Sequence, residues 1–122
     1  MSRTGKLVNL SYLKEISNGN EEFIAEMIDM LLMHLPEYQN SLQSLYEKKE
    51  YQRLGKLAHK IKSALIMIGM EKEAEEMKAF EEMAKEEKNI GTYPKIIAKF
   101  VKESDLALNE LRAIKETTNL NY

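Results

Sequence analysis

The scarcity of helix breakers constrains this chain most, since only 2 prolines and 5 glycines interrupt its 122 residues. Between those breaks apolar residues recur at spacings of three and four, and no stretch alternates apolar with polar over a useful length. A repeat near 3.6 places such residues on one face of a helix, whereas a strand needs a repeat of two. Glu, Lys, Leu, Met and Ala are abundant and all favour helix. The expected fold class is therefore all-α.

The breakers divide the chain into five helical pieces. A short first helix covers residues 11–16, with Asn9 or Ser11 as its cap, and residues 17–20 form a turn. Asn20 can cap the second helix, and Glu21 and Glu22 suit the positive end of its dipole. That helix carries Phe23, Ile24, Met27, Ile28, Leu31, Leu35, Tyr38, Leu42 and Leu45 as a stripe, and Pro36 inside it should bend it rather than break it. The third spans about residues 50–68 and stops at Gly69, a natural left-handed cap. The fourth covers about residues 71–88, and a loop of Asn89, Ile90, Gly91 and Thr92 follows. Thr92 can cap the last helix, which turns Ile97, Phe100, Val101, Leu108, Leu111 and Ile114 inward. Short connections make neighbours antiparallel, so the expected architecture is an up-and-down four-helix bundle with the first helix as a lid. One domain over residues 1–122 is expected, with an ordered core at about residues 7–116 and loose ends of roughly eight and six residues.

Charge and composition exclude several classes. A formal charge of -2, from 18 basic and 20 acidic residues, lacks the basic excess of a nucleic-acid binder. No cysteine is present, which removes disulfides and thiolate metal sites. The longest apolar stretches, around residues 28–35 and 64–70, are too short to span a bilayer, and the N-terminus lacks a secretory apolar run. A cytoplasmic, monomeric protein without membrane contact is expected, and Met1 with the short length leans towards a stand-alone chain. There is no glycine-rich phosphate loop with which to bind ATP and phosphorylate itself.

The third helix holds the chemistry. Tyr51, Leu54, Leu57, Ala58, Ile61, Leu65 and Ile68 fall on one stripe, and His59 lies about 140° from its centre, facing solvent. An imidazole open to water is largely neutral at cell pH, which leaves one ring nitrogen as a free nucleophile. Its helical neighbours are Gly55 one turn before, Lys62 and Ser63 one turn after, and Ile66 about two turns on. Lys62 brings a mobile charge suited to phosphoryl oxygens, and Ser63 is a small hydroxyl donor. Gly55 costs the helix roughly 1 kcal/mol relative to Ala, and its missing side chain would leave room beside His59 for a partner. Ile66 is an apolar contact on a polar strip. The same pattern also fits an ordinary solvated face, where an exposed histidine beside a lysine carries no function.

The run Leu57-Ala58-His59-Lys60-Ile61-Lys62-Ser63-Ala64, continuing to Ile68-Gly69, resembles the phosphorylation motif of histidine-containing phosphotransfer (HPt) domains. That motif has a small residue before the histidine, an apolar residue two after, a lysine three after, a small residue at four and a helix-closing glycine at ten. The family's further helix carries an aromatic or leucine followed by Glu or Gln, here Phe80-Glu81. With the Pro-bent second helix and the short first one, the resemblance covers about residues 7–116.

The resemblance implies a five-helix phosphorelay protein. His59 would accept a phosphoryl group from a receiver-domain aspartate, or from a hybrid sensor kinase, and pass it to another receiver. Such a protein is a phosphoryl carrier rather than an enzyme in its own right. It has no intrinsic cofactor, the Mg²⁺ being expected on the partner receiver. The alternative is a helical adaptor that docks signalling proteins without being phosphorylated; a structural bundle unrelated to relays is a third reading, favoured by a buried His59. Ser63 stands where the family usually has glycine, and Ile66 where it often has a small or polar residue, which bears on the choice of partner.

Glu81 falls on the apolar face of the fourth helix with Ala74, Met77, Phe80 and Ala84. It either snorkels at an edge or, as the resemblance implies, lies beside the histidine ring. Lys85, one turn on, reads best as a solvated rim charge. His34 reads as structural and half-buried. The 2 histidines make no convincing metal site, and the 8 methionines read mostly as core filler, with Met67 and Met70 able to soften a docking surface.

Overall fold

The computed structural model describes residues 7–120, with side chains as far as residue 117. Among these residues lie α1 (Ser11–Ile16), α2 (Glu21–Glu47), α3 (Tyr51–Met67), α4 (Glu71–Glu86) and α5 (Tyr93–Leu120), with one 3-10 turn at Ile90–Thr92 and no strand. Local chemistry sets most of the boundaries. The Asn20 side chain accepts from the Phe23 N–H at 2.9 Å, a cap worth about 1 kcal/mol. Asn9, rather than Ser11, supports α1, its Oδ1 accepting from the Ser11 N–H at 2.8 Å. Helix α2 runs unbroken through Pro36.

Helix α3 closes through Gly69, whose φ of 76° lets its N–H donate to the Ile66 carbonyl and the Met70 N–H donate to that of Leu65. Helix α4 ends the same way but with Glu87 in the left-handed region at φ 55°, so it stops at Glu86 rather than reaching residue 88. Thr92 does not cap α5. Its N–H closes the 3-10 turn on the Asn89 carbonyl at 2.9 Å, and its hydroxyl donates to the same oxygen at 2.7 Å.

Helix α3 packs most extensively on α4, while α2 packs on both α5 and α3. Leu54, Ala58, Ile61, Leu65 and Ile68 are buried as the α3 stripe requires, with Tyr51 and Leu57 at its edge. Ile24, Ile28, Leu31, Leu35 and Leu42 meet them from α2, and Met77, Phe80 and Ala84 from α4. Tyr93, absent from the sequence-derived core, is fully buried at the start of α5. Its hydroxyl donates to the Lys88 carbonyl at 2.6 Å, and its ring meets Phe80 and Tyr51 edge-on at 5.1 and 5.9 Å.

The first helix is seated by Leu13, which is fully buried, and by the Asn9 N–H donating to the Ile68 carbonyl at 2.8 Å. Leu7 and Val8, expected in a loose end, are held: their N–H groups donate to the Glu110 carboxylate at 2.9 to 3.0 Å. The expectation of looseness at residues 1–6 and 121–122 lies outside the described residues, whereas α5 continues to Leu120.

Candidate functional site

Because Ala58 and Ile61 sink into the core, His59 between them emerges on the far side of α3, its side chain 55% exposed. Its Nδ1 lies in hydrogen-bond reach of Glu81 Oε1, 3.2 Å across the α3–α4 interface. Glu81 belongs to the inward face of α4 and its side chain is only 12% exposed. An isolated carboxylate there would be costly. Here its other oxygen accepts from Lys85 Nζ at 2.7 Å. Burial pushes the Glu81 carboxyl up, but the hydrogen bonds from Lys85 and His59, together with their charges, outweigh it and hold the group below its ordinary range.

The tautomer of His59 follows from that ionisation. A carboxylate has only acceptors to offer, so the ring nitrogen facing it must be the one bearing hydrogen. Nδ1 therefore carries the proton in the neutral ring, and Nε2 keeps the lone pair. The exposed imidazole thus has a defined orientation and one defined nucleophilic atom.

Lys85 is paired with Glu81 rather than merely solvated. Gly55 is buried and leaves no room for a partner, which corrects the sequence expectation. A Cβ on Gly55 would lie 2.8 Å from Lys85 Cγ and 3.3 Å from the Glu81 carbonyl oxygen, so the stem of Lys85 already fills that space. Ser63 is exposed, and its hydroxyl donates weakly to the His59 carbonyl at 3.4 Å.

Lys62 is half-buried and has no hydrogen bond or ion pair among the described residues, which leaves its ammonium mobile. It lines a hollow with Tyr12, Ile66, Gly69, Ala74 and Glu75, and Ile66 is 41% exposed there. His59 lines a different groove, shared with Met27, Met30, His34, Tyr38 and Met67. Ile66 therefore opens on the α1 and α4 side, while His59 also borders α2. Met70, expected at a docking surface, is buried. Met30 and Met33, expected in the core, are exposed instead, because they lie beyond the edge of the α2 stripe. His34 is half-buried, its ring 6.0 Å from that of Tyr38.

Among the described residues no group of three or more His, Cys, Asp or Glu side chains could hold a metal ion, and no helix is long and apolar enough to cross a membrane. No curated protein and no solved structure matches the chain. The family model described as Hpt domain matches residues 26–116, a span that takes in His59, Lys62, Gly69 and Glu81. With three-quarters of its length matched by that model and an all-helical fold, the chain belongs to the Hpt domain family, the histidine phosphotransfer domains of two-component phosphorelays.

Proposed function

We propose that His59 is the phosphorylated residue, and that it takes the group from an aspartyl phosphate of one receiver domain and gives it to an aspartate of another. In the first step the Nε2 lone pair forms a bond to phosphorus as the acyl P–O bond breaks, and that electron pair returns to the aspartate carboxylate. The ring becomes a phosphorylated imidazolium that keeps its Nδ1 proton, and onward transfer reverses these changes on the second receiver. No proton has to leave the histidine in either direction.

The observation that carries this reading is the combination at His59: an exposed ring whose inner nitrogen is tied to a buried carboxylate, leaving Nε2 as the nucleophile. Transfer of this kind depends on in-line geometry and charge neutralisation more than on acid–base chemistry. The receiver supplies Mg²⁺ and most of that machinery. This chain supplies the nucleophile, the Lys62 ammonium for the phosphoryl oxygens, and a surface to dock on. Ser63 is small enough to leave Nε2 approachable, and Ile66 lies on a flank a receiver covers.

Incubation with a phosphorylated receiver should label the protein with acid-labile, alkali-stable phosphate. His59→Gln should abolish the label without changing the fold. If that variant labels as well as wild type, His59 is not the site. A wild-type protein that binds receivers yet never labels would be the adaptor instead.

A further inference from the structure

The Lys85–Glu81–His59 chain extends the site one residue beyond the groups that touch the reacting atoms. Glu81 has two oxygens and each has one partner: Oε1 takes the His59 Nδ1–H at 3.2 Å and Oε2 takes Lys85 Nζ at 2.7 Å. Lys85 stands one turn after Glu81 on α4, and its stem crosses the face of α3 at Gly55. Any side chain at Gly55 would meet Lys85 Cγ at 2.8 Å and the Lys85 backbone N at 3.4 Å. A helix-interior glycine, which costs roughly 1 kcal/mol relative to Ala, is thus the seat of a lysine stem.

We infer that Lys85, seated by Gly55, is a positioning residue that acts through Glu81 to hold the proton of His59 on Nδ1. The inference rests on His59 being the phosphoryl acceptor for its functional meaning, but the geometry it describes exists in the unphosphorylated protein. Without the ammonium, Glu81 has an unpartnered oxygen in a nearly buried position. It then swings towards water or takes up a proton. Either outcome loosens its hold on Nδ1, so the ring spends time with the proton on Nε2, the tautomer in which that exposed nitrogen has no lone pair to offer phosphorus. Lys85 matters a second time after transfer. The phosphorylated ring is cationic with its proton on Nδ1, and a Glu81 kept ionised by Lys85 balances that charge. Bond making and breaking are those of the phosphotransfer step itself; Lys85 and Glu81 exchange no proton or electron pair with the substrate.

The test pairs a spectroscopic readout with a kinetic one. Lys85→Met keeps the unbranched stem in the Gly55 seat and removes the charge; Lys85→Arg restores it. Gly55→Ala leaves the charge and displaces the stem. Ring ¹⁵N shifts of His59 in the unphosphorylated protein should show Nδ1 protonated and Nε2 bare in wild type and in Lys85→Arg. Both Lys85→Met and Gly55→Ala should move the proton population towards Nε2. Phosphoryl acceptance from an acyl-phosphate receiver should slow about tenfold in those two variants, taking as guide the low end of what loss of an outer partner costs a metal-bound histidine. Thermal unfolding of each variant identifies a misfolded one, and Lys85→Met, which leaves Gly55 in place and matches the lysine stem as far as Cε, carries the test if Gly55→Ala fails to fold.

Unchanged ring shifts in Lys85→Met would overturn the inference, and so would slowed transfer with unchanged shifts, because the lysine would then act by docking. Arginine that fails to rescue the shift would overturn it too. If wild type shows the predicted shifts but takes no phosphate on His59, the functional reading fails while the positioning chain stands.

Discussion

Gly69→Ala tests whether the N-terminal segment is seated on the α3–α4 turn as described. Two costs add at this position. The backbone sits at φ 76°, where a Cβ costs about 1–2 kcal/mol. That Cβ would also lie 2.6 Å from the Asn9 carbonyl oxygen, 2.7 Å from Asn9 Cβ and 3.2 Å from Asn9 Cα. None of those atoms ends a flexible side chain, so the strain resembles that of an overpacked core, about 1–3 kcal/mol. The sum is about 2–5 kcal/mol, a large share of the roughly 5–15 kcal/mol that holds a domain together. Lifting residue 9 away offers no cheap escape. It breaks the bond from the Asn9 N–H to the Ile68 carbonyl, worth about 1 kcal/mol, and it pulls on the fully buried Leu13. Urea unfolding followed by far-UV circular dichroism measures the total. Gly69→Asn run beside it separates the parts, because Asn tolerates the left-handed region yet carries the same Cβ. A loss below about 2 kcal/mol in Gly69→Ala would leave only the backbone term. Asn9 would then not pack on the turn, and the seating of α1 would be wrong.

Lys62→Ala should slow phosphoryl transfer roughly tenfold, less than a buried oxyanion donor contributes because this ammonium is half-exposed. Its urea midpoint should not move, and an unchanged transfer rate would remove the electrostatic role. Glu81, whose carboxyl is held low, contributes stability that is present above the ordinary carboxylate range and lost as pH falls through its depressed folded value. A melting-temperature scan into acid should therefore fall more steeply in wild type than in Glu81→Gln, and equal slopes would show that the pairing adds nothing. Tyr93 has the opposite sign: burial first, then the neighbouring Tyr51 and Glu87, raise its phenol. Its contribution is complete below the ordinary tyrosine range and lost as pH rises through the raised folded value. Tyr93→Phe should shrink the alkaline loss while costing about 1 kcal/mol at neutral pH through the bond to the Lys88 carbonyl. An undiminished alkaline loss would point to other groups.

What was legible in the sequence was local. Asn20 and Gly69 announce helix boundaries because each acts on backbone groups within a few residues, and the α3 stripe announces its core because 3.6 residues make a turn. The same rule turned His59 outward. Glu87 shows where local rules fail, since its left-handed conformation ends α4 without any glycine to mark it. Tyr93 is hidden for another reason. Its burial depends on Phe80, Tyr51 and the Lys88 carbonyl arriving from other elements, and nothing beside it in the chain says so. Glu110 holding Leu7 and Val8 across more than 100 positions is the same kind of fact. At the site, Glu81 stood out as a carboxylate on an apolar face. The role of Gly55 did not, because an empty position reads as free space until its occupant from α4 is known.

The close approach of α3 and α4 explains why the chemistry sits where it does. The buried residues of the two helices include Gly55, Ala58, Ala64, Ala74 and Ala84, all small. Small side chains let two helix backbones come near, here close enough that a Cβ on Gly55 would fall 3.3 Å from the Glu81 carbonyl oxygen. Glutamate is short, and only at such a separation can one buried on α4 reach Nδ1 of a histidine that faces solvent from α3. Larger residues at these positions would add apolar burial but widen the gap, and His59 would lose the partner that fixes its tautomer. The packing that looks least generous in buried volume is thus what couples the core to the exposed nucleophile. Lys62, one turn after His59 on α3, needs no such support, since a mobile charge neutralises phosphoryl oxygens from a range of positions.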